Sequence, residues 1–153
     1  MGAAAGAAAS LPMIVAMERL HERLPGEPAR PLPPREITEG MAAKAGVLDD
    51  LKEDEKQGLT LTGHYGYGAA CGALFGLVAP RHPATAIPAG VVFGLTVWAA
   101  SYLGWLPASG VRHHPKHDPP ARTALMIAAH IVYGVATSSF IAAARGGRGY
   151  YER

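Results

Sequence analysis

Apolar residues are gathered into four long runs that are separated by polar segments. The runs cover residues 2–24, 58–79, 84–108 and 123–144, and the longest polar segment is a connector over 25–57. A membrane-spanning helix needs about 20 mostly apolar residues, which is close to the length of each run. The pattern therefore predicts an all-α integral membrane bundle of about four transmembrane helices, forming a single domain over residues 1–153.

The first run is the weakest of the four. Its apolar part, GAAAGAAASLPMIVAM over residues 2–17, is short for a span and is interrupted by Pro12. Continuation of the helix through Glu18–Leu24 supplies the missing length. The run lacks the basic residues that open a secretory signal. We therefore expect a span that ends in a polar turn, and a re-entrant or signal-like segment is the alternative.

The connector over 25–57 changes character in its middle. Prolines make its first part extended, because each fixes its own φ and biases the preceding residue away from helix. After Pro34, apolar residues recur at near-helical spacing: Ile37, Met41, Ala45 and Leu48. This spacing predicts a short amphipathic helix at the membrane surface that ends near Gly46. Asp50 followed by Glu53 then resembles the start of the next helix with its capping-box partner.

Charge is concentrated in and near the connector. Ten of the twelve acidic residues lie between Glu18 and Glu55, and beyond residue 57 only Asp118 and Glu152 are acidic. The net charge of +2, without a basic stripe, argues against nucleic acid as a partner. Cys71 is the only cysteine, so neither an intramolecular disulfide nor a thiolate metal cluster is expected.

Small residues recur at every fourth position in three of the runs. They are Gly2, Gly6 and Ser10 in the first, Gly68, Gly72 and Gly76 in the second, and Gly90 and Gly94 in the third. This spacing puts the small residues on one helix face, where a neighbouring backbone can approach closely. We interpret them as helix-packing faces. The alternative is that the glycines and alanines simply follow the composition of the genome.

The second and fourth runs share the motif H-x-x-Y-G, at residues 64–68 and 130–134. With four spans, these two runs cross in the same direction, so the motifs should lie at similar depth. A spacing of three residues puts His64 with Tyr67, and His130 with Tyr133, on one helix face. Ionisable groups at membrane depth usually face the bundle interior or a cavity. These four residues are the predicted binding site, with hydrogen bonding between helices as the alternative role.

The chemistry of metals and of enzymes has little support in the sequence. Two histidine nitrogens are too few for a dependable metal site. The loop RHHPKHD over residues 112–118 contains three histidines, but Pro115 breaks any helix and Lys116 opposes a cation, which favours a solvated turn. Nucleophile-elbow, P-loop and H-E-x-x-H motifs are missing. We therefore expect no cofactor, no metal and no enzymatic activity.

Three segments resemble the YagU-like family of small bacterial inner-membrane proteins. They are PLPPR over residues 31–35, the histidine-containing second run, and AHIVY over residues 129–133. The resemblance implies a multi-pass helical protein of the bacterial inner (cytoplasmic) membrane, with its termini in the cytoplasm. The C-terminal tail with Arg145, Arg148 and Arg153 fits this orientation. The positive-inside rule opposes it, because ten of the fourteen Lys and Arg residues lie opposite the termini.

Two functional hypotheses follow from these patterns. The first is a non-catalytic structural or accessory subunit that packs against other membrane helices, either those of other subunits or those of a second copy. The second is a small transport or proton-linked protein that uses the paired H-x-x-Y-G motifs. Small size favours the first, because four short helices rarely enclose a path alone, and the paired motif favours the second. The lipid bilayer is a partner in both.

Overall fold

The computed structural model describes residues 1–24 and 31–151, except for the side chains of residues 83 and 147–151. The helices are α1 (Gly2–His21), α2 (Pro33–Lys44), α3 (Glu53–Val78), α4 (Ala86–Ala99), α5 (Leu106–Ala108) and α6 (Pro120–Tyr151). A π-helical turn, Ala100–Trp105, joins α4 to α5, so the two form one helical run. The all-α prediction is confirmed for the part of the chain that the structure describes.

Three helical segments are long and apolar enough to cross a membrane. They are Gly2–His21, Ala86–Ala108 and Pro120–Gly146. α3 has 26 residues, but its first turns are charged and its remainder is rich in glycine, which lowers its mean hydropathy. The count of four spans therefore depends on α3 and stays a prediction.

The helix ends in the connector follow local capping chemistry. Gly46 has a φ of +74° just after α2. The N–H groups of Gly46 and Val47 donate to the carbonyls of Ala43 and Ala42, both at 3.0 Å, which is the hydrogen-bond pattern of a glycine-terminated helix. The predicted end of this helix near Gly46 is confirmed.

Of the prolines predicted to keep the first part of the connector extended, Pro25 and Pro28 lie outside the described residues. For Pro33 and Pro34 the prediction is wrong, because they form the first turn of α2, where the fixed φ of proline suits a helix.

The predicted start of α3 at Asp50 is wrong. Asp50 closes a short 3₁₀ turn, and α3 begins two residues after Leu51, with Lys52 as its N-cap. The reason is that Glu55, rather than Glu53, reaches back to cap the helix. Its carboxylate accepts a hydrogen bond from the Lys52 N–H at 2.7 Å.

α1 and α3 pack through their small residues. A side chain at Gly72 would place its Cβ 2.6 Å from both the Gly2 oxygen and the Gly6 Cα, and one at Gly76 would lie 3.0 Å from the Gly2 Cα. Gly68 faces Ser10 in the same way. Residue numbers along α3 rise from Gly68 to Gly76 while those of the facing residues on α1 fall from Ser10 to Gly2. The two helices therefore run antiparallel, with their backbones in direct contact.

α4 and α6 repeat this arrangement. A Cβ at Gly90 would lie 2.7 Å from the Gly134 oxygen, and one at Gly94 would lie 2.8 Å from the carbonyl carbon of His130. These helices are therefore antiparallel as well. The five predicted packing glycines thus all meet helices of their own chain.

α3 and α6 run parallel and are joined by long side chains, while both pack on α1. The Tyr133 hydroxyl donates to the Gly68 carbonyl at 2.6 Å, and Arg145 donates to the carbonyls of Ala79 and Pro80 at 3.0 and 2.9 Å. Residue numbers rise together along the two helices, from the Tyr133–Gly68 contact to the Arg145–Ala79 contact, so the helices point the same way. The Tyr133–Gly68 bond also puts the two H-x-x-Y-G motifs at the same level of the bundle. We call the end that carries residues 31–57 and 106–122 the connector end, and the opposite end the terminal end.

Candidate functional site: a cavity between the paired motifs

A cavity of about 240 Å³ lies toward the connector end of the bundle. His64, Tyr67, His130 and Tyr133, the four residues of the predicted site, all line it. α1, the α4–α5 run and α6 supply most of the remaining wall. α2 lies across the connector side and contributes Pro34, Ile37, Thr38 and Met41. The structure therefore brings the two motifs to one space.

The histidine and tyrosine of α6 are deeply buried and bonded to backbone. His130 is 5% exposed, and its Nδ1 lies 2.7 Å from the Met126 carbonyl one turn earlier. Since a carbonyl oxygen can only accept, Nδ1 carries the proton, and in the neutral ring Nε2 is then a hydrogen-bond acceptor. Tyr133 uses its hydroxyl on the Gly68 carbonyl of α3. The α6 pair thus leaves one acceptor nitrogen turned away from its own helix.

The histidine and tyrosine of α3 are in a different environment. The Tyr67 hydroxyl lies 2.9 Å from the Ser101 Oγ and accepts a hydrogen bond from the Trp105 indole at 3.3 Å. This ties α3 to the π-helical turn that follows α4. The Nε2 atom of His64 is buried and has no hydrogen-bond partner among the described residues. A buried polar atom without a partner is unfavourable unless water or a ligand completes it.

The cavity wall is apolar apart from a few hydroxyl and ring-nitrogen groups. Neither an acidic side chain nor a lysine or arginine is among the described residues that line it. An ion inside would therefore lack a counter-charge, and burying an unpaired charge is strongly unfavourable. The space suits a neutral guest with an apolar body.

A network of ion pairs closes the connector end above the cavity. Glu36 of α2 accepts from Arg112 at 2.5 Å and from Arg122 at 2.8 Å. Arg112 also donates to Asp118 at 2.7 Å, and Arg122 donates to the Pro31 carbonyl at 2.9 Å. The side chains of the two arginines are only 8% and 3% exposed. Glu36 therefore fastens α2 to the loop before α6 and to the start of α6.

Tyr102 separates this network from the cavity. The Arg112 guanidinium carbon lies 5.4 Å from the centroid of the Tyr102 ring. The ring of His130 meets Tyr102 edge-on, with the centroids 5.8 Å apart. The Tyr102 ring thus contacts both the Arg112 guanidinium of the network and the His130 ring of the cavity.

A second set of contacts holds α2 to α3. The Thr38 hydroxyl lies 2.7 Å from the Thr60 hydroxyl, and Arg35 pairs with Glu39 and with Glu53 at the start of α3. The hydrogen bonds that Arg35 donates to Glu39 and then to Glu53 raise the pKa of its guanidinium. α2 is thus more than a surface helix, because one of its faces covers the cavity.

The loop over residues 112–118 is organised by ion pairing and capping. Asp118 is committed to Arg112, and the His114 Nδ1 accepts from the Lys116 N–H at 3.2 Å, capping the turn Pro115–His117. Within the described residues, no group of three or more histidine, cysteine or acidic side chains is arranged to hold a metal ion.

Sequence reasoning missed the ion network and the contributions of Ser101, Tyr102 and Trp105. Glu36 is separated from Arg122 by 86 positions, so no local pattern links them. One signal was present: Arg122 directly precedes a fully apolar run, where an unpaired arginine would be unfavourable. A search for its counter-charge would have led to the acidic residues of the connector.

The family comparison covers most of the chain. A family model described as “Protein of unknown function (DUF1440)” matches residues 19–139. This match includes both H-x-x-Y-G motifs, all of α2 and the four residues of the ion network. No curated protein and no solved structure matches the chain.

Proposed function

This chain belongs to the DUF1440 family, and we propose that it is a non-catalytic membrane protein that binds a small neutral molecule in the cavity between the paired motifs. The observation that carries the proposal is the convergence of His64, Tyr67, His130 and Tyr133 on one uncharged cavity. The proposal develops the second hypothesis from the sequence, a small transport or proton-linked protein that uses the paired H-x-x-Y-G motifs. A binding role fits better than catalysis, because no described acidic side chain lines the cavity to act with a histidine.

The size of the cavity limits the guest. A cavity of about 150 Å³ holds a benzene molecule. By that comparison, 240 Å³ accommodates roughly ten non-hydrogen atoms. The proposed ligand is therefore a small molecule.

We propose a four-span topology in the bacterial inner membrane with cytoplasmic termini. α3 would be the fourth span, since it packs along its length on α1 and runs parallel to α6. Two of the ten basic residues opposite the termini, Arg112 and Arg122, are buried in ion pairs and serve the fold. The segments that carry the YagU-like resemblance all lie within the matched residues 19–139, which supports inner-membrane location.

A role as an accessory subunit is the second candidate. Its support is an apolar face near the terminal end, where Leu74, Leu77 and Val78 are each at least two-thirds exposed. That face fits lipid, a second copy or another membrane subunit. The glycine faces do not support this role, because helices of the same chain cover them. Purification in mild detergent with mass analysis of co-migrating proteins tests it.

Binding is tested by quenching of Trp105, which lines the cavity. The chain has two tryptophans, so Trp98→Phe leaves Trp105 as the only one. Trp98→Phe also removes a buried indole N–H that has no partner among the described residues. In nanodiscs carrying this variant, 4-bromotoluene is expected to quench Trp105 saturably through its bromine atom. A linear response, equal to that of a free tryptophan analogue in the same bilayer, would contradict the proposal.

Two glycines of α3 provide a matched pair of further variants. Gly63 lines the cavity, and a Cβ there would lie 3.3 Å from the Thr38 methyl carbon. Gly66, one turn later, meets no atom within 4 Å. Both Gly63→Leu and Gly66→Leu raise helix propensity. Only Gly63→Leu is expected to abolish saturable quenching.

A further inference from the structure

The two histidines at the cavity differ in what they offer a guest. His130 donates from Nδ1 to the Met126 carbonyl, so its Nε2 is left as an acceptor. No described residue donates a hydrogen bond to that nitrogen. His64 has a buried Nε2 that also lacks a partner among the described residues. The cavity thus contains one fixed acceptor, Nε2 of His130. It also contains Nε2 of His64, which can donate or accept according to the tautomer of that ring.

No described hydroxyl group that lines the cavity donates to Nε2 of His130, and most are bonded elsewhere. Tyr133 spends its proton on the Gly68 carbonyl at 2.6 Å, and Ser10 donates to the Gly6 carbonyl at 3.2 Å. Tyr67 and Ser101 bond to each other at 2.9 Å. A guest that donates a hydrogen bond to His130 would satisfy this acceptor.

We propose that the ligand of this cavity is a neutral hydroxyl-bearing molecule, such as a phenol or a small alcohol with an apolar body. Its hydroxyl donates to Nε2 of His130 and can accept from a protonated Nε2 of His64. This inference rests on the proposed binding function and specifies its ligand class. A carbonyl compound such as a quinone is disfavoured, because its oxygen would face the lone pair of His130.

The residues at the mouth of the cavity, between α3 and the π-helical turn, favour the entry of an amphiphilic guest. Tyr67 is 41% exposed and Trp105 is 37% exposed, and both also line the cavity. Tyrosine and tryptophan are favoured at the level of the lipid headgroups. A phenol or small alcohol partitions to the same level, with its hydroxyl in the interface, so it can enter between α3 and the π-helical turn.

Three probes of nearly the same shape separate these possibilities. 4-Bromophenol donates and accepts, 4-bromoanisole only accepts, and 4-bromotoluene does neither. We measure saturable quenching of Trp105 in the full-length Trp98→Phe protein in nanodiscs, with affinities referred to the probe concentration in the bilayer. 4-Bromophenol is expected to bind about tenfold more tightly than the other two, the effect of one hydrogen bond to a buried acceptor.

The possible outcomes are distinct. Saturable binding of all three probes with equal affinity would overturn the hydroxyl inference and leave the proposed binding function intact. If none of the three probes quenches Trp105 saturably, both the hydroxyl inference and the proposed binding function are overturned. Tighter binding of 4-bromoanisole would mean that the guest accepts, which also contradicts the inference. In His130→Phe, the preference for 4-bromophenol is expected to disappear. If that variant does not fold, the comparison of the three probes still decides.

Discussion

Two identical sequence motifs have different roles here because their helices have different surroundings. His130 and Tyr133 are 5% and 2% exposed, on a helix that contacts both α1 and α4. Nδ1 of His130 and the hydroxyl of Tyr133 donate to backbone carbonyls at 2.7 and 2.6 Å. Tyr67 lies at the edge of the bundle and bonds to side chains instead. At the residue scale, the α6 motif therefore has a mainly structural role and leaves one free acceptor, Nε2 of His130. In the α3 motif, Tyr67 lies at the mouth of the cavity.

Gly94→Ala tests the close approach of α4 to α6. The added Cβ would lie 2.8 Å from the His130 carbonyl carbon, and backbone cannot yield as a side chain can. We expect a loss of about 1–3 kcal/mol in the free energy of unfolding, the usual range for overpacking. Gly66→Ala, which meets no atom within 4 Å, is the control and should gain up to about 1 kcal/mol from helix propensity. Equal stability of the two variants in detergent denaturation would contradict this packing.

At the scale of elements, α2 is the helix on which the site depends most. It lies across the cavity, and its polar side is fastened by Glu36 to two buried arginines. Prolines are favourable at the first two positions of α2, Pro33 and Pro34. The N–H groups that proline lacks would have no intrahelical acceptor at these positions. The glycine at position 46 ends the helix and turns the chain toward α3.

Glu36→Gln is expected to loosen α2. The substitution removes the negative charge between Arg112 and Arg122, leaving Asp118 as the one described carboxylate paired with Arg112. Hydrogen bonds to charged groups contribute about 1.5–3 kcal/mol, and partial exposure of Glu36 reduces this, so we expect a loss of about 2 kcal/mol. Glu39→Gln, on the same helix, breaks a half-exposed pair and should lose less than about 1 kcal/mol. Thermal melting in detergent that ranks the two variants in the opposite order would refute the anchoring role.

The helices could be predicted from sequence to the extent that their signals are local. Apolar runs, the glycine at position 46 and the four-residue spacing of small residues each depend on neighbours in the chain. The partners of those small residues could not be predicted in the same way. The spacing of Gly72 shows a flat face but does not indicate that Gly2 and Gly6 cover it. The contact of Glu36 with Arg122 depends on how the whole bundle folds.

At the scale of the whole molecule, the parallel direction of α3 and α6, which both pack on α1, is what brings the two motifs to one site. The two helices are parallel because a single crossing, the α4–α5 run, lies between them along the chain. α1 and α4 then lie antiparallel to their partners, so that each pair of backbones meets through small residues. The connector folds back as α2 and covers the cavity that these four helices leave at one end.

The topology gives a direct prediction. Reporter fusions after Arg148 and within residues 26–30 should report opposite sides of the membrane, because three proposed spans, α3, the α4–α5 run and α6, lie between the two sites. The fusion after Arg148 is expected to be cytoplasmic. The same side for both sites would mean that the count of spans is wrong, with α3 as the span in question, and a periplasmic tail would reverse the proposed orientation.

The most direct test of the central claim is a double-mutant cycle on the two histidines, read out as binding of 4-bromophenol in the Trp98→Phe background. If His64 and His130 face one guest in one cavity, each change to alanine weakens binding, and the double variant loses distinctly less than the sum of the two single losses. Melting of all four proteins in the same detergent verifies that they are folded. Unchanged binding with additive losses of stability would contradict a shared cavity and leave the two histidines as separate contacts between helices.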